Sequence, residues 1–376
     1  MRVALLGYGT VGRGVDEILR TRVPGVEVTR ILELPGRITD KRMTSDFAEI
    51  ENDFTVDLVV ECMGGIEPAH EFICRSLKAK KHVVTSNKAV VAVYMREFVE
   101  LANECRVSFL FEAAVAGGIH WIASLEKVRR VDDISSFSGI MNGTTNFVID
   151  SMRRNGQDFG EALAIAQELG YAEADPTADI GGFDVRNKTI ISASVAFGVQ
   201  CNDDLPVTGI ENLRARDLAL LAEHGLTVKL FGRGVAEGGA YACSVEPVAI
   251  PLDSLEAQVP SNFNLVTVEG ATVGPLKFYG QGAGSLPTGN AIVQDIIDAQ
   301  AGRTIKLELD RDLVWDPTLL TSDYLVRSTA KPAGAEPFGE GGWLVRGLTA
   351  TDARALYASL LEEDPTAFIA AMPKGD

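Results

Sequence analysis

Short apolar runs, each closed by a polar or glycine-rich turn, alternate along the first third of the chain with stretches whose apolar residues recur every three to four positions. The run from Arg2 to Leu6 comes first. It ends in Gly7-Tyr8-Gly9-Thr10-Val11-Gly12, after which Val15, Ile18 and Leu19 repeat at helical spacing. Strand-like runs at 26–32, 58–62, His82–Thr85 and 108–111 then alternate with helical patterns at 46–50, 68–79 and 94–104. Repeated β-α units predict a parallel sheet covered on both faces. The fold class is therefore α/β, with an N-terminal Rossmann-type domain over residues 1–130.

Past Gly118 the rhythm changes. Trp121–Arg129 reads as a helix and 134–141 as a strand; helical patterns follow at 145–154, 160–169, Phe183–Phe197 and 215–224. Strand-like runs then fall at 227–231, 241–250, 265–269 and 276–279. Helices followed by strands predict an α+β second domain over 131–301, one sheet with helices on one face. A late glycine loop, Gly280 to Gly284, leads into a helical pattern at 291–299, and a helix over 286–300 is expected to pack back on the first domain. From 302 the pattern thins. Runs at 305–309, 324–328 and 343–346 read as strands, 353–362 as a helix and 331–342 as a Pro/Gly-rich connector, which predicts a small C-terminal module over 302–376.

Composition narrows the class. The 376 residues, 46% hydrophobic, suffice for two or three domains with their own cores. A net charge of -17 argues against nucleic acid as a partner. No apolar run approaches the roughly 20 residues of a membrane helix. The N-terminus enters a strand and glycine loop without a signal-peptide cleavage pattern, and five scattered cysteines without CxxC spacing read as reduced thiols. The expectation is a cytoplasmic protein. Four histidines, none paired at metal spacing, argue against a zinc site.

Three stretches carry candidate chemistry. Gly7, Gly9 and Gly12 follow a strand and open a helix, the context a dinucleotide fingerprint requires, with the helix N-terminus facing the pyrophosphate. Glu33, at the end of the second strand, suits a ribose hydroxyl and favours NAD; Arg37, Lys41 and Arg42 suit a 2'-phosphate and NADP; all four also read as solvated loop charges. Lys88 follows a strand end, where open α/β sheets place ligands, or is simply a surface lysine at a helix start. The densest stretch is Tyr171 to Ile191. It gathers Glu173, Asp175, Asp179 and Asp184 around Pro176 and Gly181-Gly182, and then enters an apolar helix at Lys188. Asp184 and Lys188 stand four apart on one helix face: either an idle exposed pair or a desolvated lysine poised to move a proton. Asn142-Gly143-Thr144-Thr145-Asn146 offers helix caps, or N–H groups for a substrate carboxylate. Glu112 caps a loop or, with nearby carbonyls, holds a hard cation.

These strings resemble the homoserine dehydrogenase family. GYGTVG, TSNKAVVA, FEAAVAGGI, SGIMNGTTNFVIDSM, ELGYAEADPTADIGGFDVRNK and GAGSLPTGNAIVQDI occur in the family's order, covering about residues 1–298. The resemblance implies reversible NAD(P)-dependent hydride transfer between L-homoserine and L-aspartate 4-semialdehyde, in threonine and methionine biosynthesis. It implies Lys188 as proton donor with Asp184 and Lys88 in the catalytic site, and Glu173, Asp179 and Thr144 as substrate ligands. Gly7, Gly9, Thr10, Val11, Gly12, Glu33, Lys88, Gly282 and Gly284 would hold NAD or NADP. Glu112, Val115, Gly117 and Ile119 would hold a structural monovalent cation such as sodium, although His120 stands where the family often has proline. It also implies a homodimer or homotetramer built through the second domain, and a small-molecule substrate as partner. Many relatives carry a C-terminal ACT domain; the stretch after Gly302 lacks a full βαββαβ pattern, so it is at most a reduced ACT-like module. Two alternatives remain: another amino-acid or semialdehyde dehydrogenase, and a non-catalytic dinucleotide sensor, which has no use for Lys188 and its carboxylates.

Overall fold

The computed structural model describes residues 1–201, 204–305 and 307–373. It divides into two units: Met1–Arg130 with Gly198–Gln200 and Gln281–Arg311, and Val131–Phe197 with Cys201–Gly280 and Asp312–Asp376.

Unit 1 is built on six parallel strands: β1 (Arg2–Leu6), β2 (Glu27–Leu32), β3 (Met43–Thr44), β4 (Leu58–Glu61), β5 (His82–Thr85) and β6 (Phe109–Leu110). Their order, β3-β2-β1-β4-β5-β6, is that of a doubly wound sheet, which reverses beside β1 and opens a crevice at the carboxyl ends. From Val3 to Leu6, strand β1 is buried on both faces, hence the apolar run there. Val3 and Leu5 face one core cluster with Val15, Leu19 and Ile292. Ala4 and Leu6 face another with Phe47 and Ile50. Helices α1 (Thr10–Arg22), α2 (Phe47–Glu51), α3 (Ala69–Lys78), α4 (Lys88–Cys105) and α5 (Trp121–Arg129) belong to this unit, as does Ser285–Gln300, α11 in chain order, which packs along α1. Helix α4 starts at Lys88, six residues before the expected onset. Its first turns are an aperiodic Ala/Val run, Asn87 caps them through Val90 N, and the backbone leaves helical geometry at Tyr94 (φ -115°, ψ 15°).

Unit 2 holds α6 (Gly143–Asn155), α7 (Phe159–Glu168), α8 (Thr177–Ile180), α9 (Phe183–Phe197) and α10 (Ala215–Glu223). Its strands are β7 (Ile134–Ile140), β8 (Leu226–Glu237), β9 (Ala240–Pro251), β10 (Phe263–Gly270), β11 (Gly274–Gln281), β12 (Val314–Trp315), β13 (Thr321–Arg327), β14 (Glu336–Pro337), β15 (Trp343–Thr349) and β16 (Phe368–Ala371), and α12 (Ala350–Glu363) precedes the last. They form one sheet in the order β11-β10-β7-β8-β9-β16-β13-β15-β14, with β12 beside β9. The β8–β9 hairpin pairs residue for residue from Leu226↔Pro251 to Glu237↔Ala240. The apolar run at 227–231 stops short of this because Gly232 and Gly234 read as turn residues. In the sheet they leave room for Thr189 and Phe137.

The tail differs most from expectation. Of the run 305–309, residue 306 lies outside the described residues and the others form no strand. Strands β13, β15 and β16 extend the unit 2 sheet, with β16 bridging β9 and β13, so residues after 311 are continuous with that sheet rather than a separate module. The local order β16-β13-β15-β14, all antiparallel, is that of a βαββαβ unit in which residues 328–335 stand in place of the first helix. Among the described residues no helix is long and apolar enough to cross a membrane.

Candidate active site

Helix α9 carries Asp184 in its first turn and Lys188 one turn later, both buried. Gly182 (φ 83°) makes the turn from α8 that starts it. The Lys188 Nζ donates to Asp184 Oδ2 at 2.8 Å and to the Met141 carbonyl at 2.6 Å. Two of three ammonium donors therefore point at protein oxygens. The idle exposed pair is excluded: this is a desolvated ion pair, which persists only where both charges are hydrogen-bonded.

Asn142 organises the surroundings. As N-cap of α6, its Oδ1 accepts from Thr145 N at 2.8 Å, while its Nδ2 donates to Asp179 Oδ1 at 2.7 Å and Asp184 Oδ2 at 2.8 Å. The capping motif is thus also the bridge between two acids, a role its spacing did not reveal. Thr144 Oγ1 lies 2.6 Å from the Tyr171 carbonyl and 2.9 Å from Asp179 Oδ2. One hydroxyl proton cannot serve both, so both contacts are hydrogen bonds only when Asp179 carries a proton. Burial, and then the Asp184 charge, push the Asp179 carboxyl above its ordinary range, in the same sense. Glu173 stays exposed in the loop between α7 and α8, its carbonyl bound by Gln167 Nε2 at 3.0 Å.

In unit 1 the glycine loop closes β1 onto α1. A Cβ on Gly12 would lie 2.4 Å from the Gly7 carbonyl oxygen, whereas one on Gly9 would meet nothing within 4 Å. Gly12, against Gly7, is thus required by packing, and the face of Gly9 is open to a ligand. Thr10 and Val11 begin α1 with no side-chain cap over their N–H groups, which suits a pyrophosphate. Glu33 leans on this loop, accepting from Tyr8 N at 3.2 Å and Leu34 N at 3.0 Å. Arg42 is committed elsewhere, to Asp16 at 2.9 Å and Asp40 at 2.8 Å, while Arg37 and Lys41 are exposed. The late loop returns here: Ser285 Oγ donates to the Thr10 carbonyl at 2.7 Å, which sets Gly284 near the start of α1, while Gly118 N donates to the Gln281 carbonyl at 3.0 Å and Gly282 lies against Gly117. Lys88, half-buried, opens α4 just past β5, where Thr85 Oγ1 donates to the buried Glu61 at 2.6 Å and accepts from Asn87 N at 3.0 Å.

Glu112 has a second employment. Its carboxylate accepts from Ile122 N at 2.9 Å and Ala123 N at 2.8 Å, the free N–H groups of α5. Its own N–H donates to Asp295 Oδ2 at 2.9 Å. Burial pushes Glu112 up to about 7 and raises Asp295 strongly. Val115, Gly117 and Ile119 follow in the same loop, and the Ile119 carbonyl accepts from Trp121 N at 2.8 Å. A cavity of about 890 Å³ in unit 2, lined by Phe183, Arg186, Glu211 and Arg354, is lined by none of the Asn142–Lys188 network.

A doubly wound unit with an open glycine loop, and a second unit holding a buried lysine among carboxylates, define an NAD(P)-dependent oxidoreductase. Comparison narrows this. The family model for homoserine dehydrogenase matches residues 121–297, and that for the homoserine dehydrogenase NAD binding domain matches residues 7–112. The homoserine dehydrogenases of Synechocystis sp. and Corynebacterium glutamicum are each 40% identical to the chain, over 79% of it and over 73% and 71% of their own lengths. A solved homoserine dehydrogenase from Thiobacillus denitrificans superposes on 99% of this chain and 98% of its own with a TM-score of 0.87 at 31% identity. The chain belongs to the homoserine dehydrogenase family.

Proposed function

We propose that Lys188 is the acid–base group in the interconversion of L-homoserine and L-aspartate 4-semialdehyde, with Asp184 holding it in place. The observation that carries this reading is the buried Lys188–Asp184 contact, backed by the Met141 carbonyl. When bound, NAD(P) supplies the hydride in one direction and accepts it in the other. Lys188 faces the charge that develops on the carbonyl oxygen and gives that oxygen its proton; in reverse it takes the hydroxyl proton, so it must first lose its own. Alkaline pH therefore favours oxidation. The family resemblance makes Lys88 a second positive group for the reaction. Asp179, with Thr144 and Asn142 fixing it, and Glu173 from the loop hold the substrate ammonium.

The cofactor reading leans to NAD, supported by Glu33 beside the glycine loop and by the commitment of Arg42 to Asp16 and Asp40. A monovalent cation at Glu112, Val115, Gly117 and Ile119 would favour the charged forms of Glu112 and Asp295, which burial disfavours. The assembly is a homodimer or homotetramer, tested by light scattering. Absorbance at 340 nm with homoserine, run with NAD and NADP in parallel, tests the main reading. Turnover with NAD in preference supports it, a preference for NADP reverses the cofactor assignment, and no turnover with either leaves the non-catalytic sensor.

A further inference from the structure

Helices α3 and α4 bring together three side chains that the reaction does not use. His70 and Cys74 lie one turn apart on α3, and Glu97 arrives from α4. His70 Nε2 is 3.0 Å from Glu97 Oε2, Cys74 Sγ is 3.7 Å from His70 Nε2, and Cys74 Sγ is 3.5 Å from Glu97 Oε1. With zinc bonds of about 2.0–2.3 Å to nitrogen, oxygen and sulfur, the edges of a tetrahedron measure roughly 3.4–3.6 Å. One donor atom from each residue falls within 4.8 Å of the others, so closing on an ion needs only small side-chain movements.

The histidine is also held as a ligand is held. Glu67 Oε1 sits 3.2 Å from Nδ1 and can hold the ring proton there once an ion takes the Nε2 lone pair between Cys74 and Glu97. Tyr94 stacks on the ring at 4.0 Å between centroids, at the point where α4 leaves helical geometry. Glu97 is half-exposed, so the site has an entry path. Sulfur, nitrogen and oxygen together select a borderline d¹⁰ ion over magnesium or calcium, which take oxygen alone. Sequence spacing hid the set because its third member is contributed by another helix.

We propose that His70, Cys74 and Glu97 form an exchangeable zinc site that staples α3 to α4, with Glu67 orienting His70. Three protein ligands leave the fourth position to solvent, so the ion is exchangeable rather than locked in. Binding displaces the Cys74 proton, which burial and then Glu97 hold firmly.

The test uses full-length protein stripped with chelator and kept reduced with a phosphine, titrated with Co²⁺ as a coloured stand-in and then with Zn²⁺. The expected result is one equivalent of Co²⁺ with a thiolate charge-transfer band in the near ultraviolet, bleached by zinc. The band is lost in Cys74→Ser and kept in Cys105→Ser. Zinc affinity falls more than about a hundredfold in His70→Asn, and about 10–100-fold in Glu67→Gln, which touches no metal. His70 and Glu97 are partly exposed, so His70→Asn and Glu97→Gln decide the matter should Cys74→Ser fail to fold. Absence of the band in wild type, or zinc binding equal in wild type and His70→Asn, overturns the proposal.

Discussion

The two candidate sites are made of opposite materials. The glycine loop of unit 1 is a site of missing side chains: backbone N–H groups, a bare Gly9 face, and a Gly12 packed against the Gly7 carbonyl. The unit 2 site presents side chains, Lys188, Asp184, Asp179, Asn142 and Thr144, drawn from α6, α8, α9 and the turn before α6 and backed by the Met141 and Tyr171 carbonyls. A backbone site tolerates few changes of shape. A side-chain site tolerates few changes of charge. Each substitution below presses on one side of that contrast.

Lys188→Ala should have the largest effect. Loss of a positioned acid–base group lowers kcat by about 10²–10⁴, while the dissociation constant for NAD(P), measured by calorimetry, stays near wild type. The variant also leaves Asp184 buried without its cation, costing about 3–5 kcal/mol in urea unfolding. Lost stability with wild-type turnover would make Lys188 a structural residue only.

On the backbone side, Gly12→Ala and Gly9→Ala should part company. The new methyl at Gly12 meets a backbone carbonyl at 2.4 Å, so β1 or α1 must shift. Overpacking of this kind costs about 1–3 kcal/mol, and cofactor binding goes with it. The methyl at Gly9 meets no protein atom, and φ there is -77°, so the fold is kept and only cofactor affinity falls. Equal thermal midpoints for the two variants would mean that the loop is not packed as described.

Asp179 sharpens the side-chain half. Its carboxyl is pushed up by burial and by Asp184, so the free site takes up a proton, shared with Thr144, at a higher pH than an ordinary carboxyl does. Substrate ammonium needs the carboxylate. The homoserine KM should therefore rise as pH falls through the raised Asp179 value, by up to about tenfold per pH unit, and flatten above it. In Asp179→Asn the acid limb disappears and KM is high throughout. An acid limb that survives belongs to another group.

The same contrast explains what was legible in the sequence. Gly7, Gly9 and Gly12 announce themselves because a run of absent side chains between a strand and a helix has few other uses. Strand β1 was readable because burial on both faces leaves Val3 to Leu6 wholly apolar. Asp184 and Lys188 were readable as neighbours, since one helix holds both, but whether they were buried depended on Met141 and Asn142, some 40 residues upstream. Asn142 itself was readable as a cap and not as a bridge. Strand β16 was missed because Phe368–Ala371 is short and pairs with β9, more than 100 residues away. Gly232 and Gly234 misled in the other direction. Their lack of side chains serves neighbours in the core, which a local pattern cannot show.

Glu112 belongs to both materials, and its effect should be the smallest. It is a charged side chain among backbone donors, and its folded-state value of about 7 lies above the ordinary 4.5. The folded chain therefore holds this proton more tightly than the unfolded chain. Its contribution to stability is complete below about 4.5 and is lost as pH rises to about 7. A cation in the loop counters that loss only where the carboxylate is charged. At pH 8, sodium should raise the thermal midpoint over tetramethylammonium at equal ionic strength by about 2–4 °C, the shift expected of roughly 1 kcal/mol. At pH 5 the two salts should agree. A sodium effect of the same size at both pH values would be general salt action. No effect at either would leave the N–H groups of α5 as the whole of what Glu112 serves, and the cation would drop out of the reading.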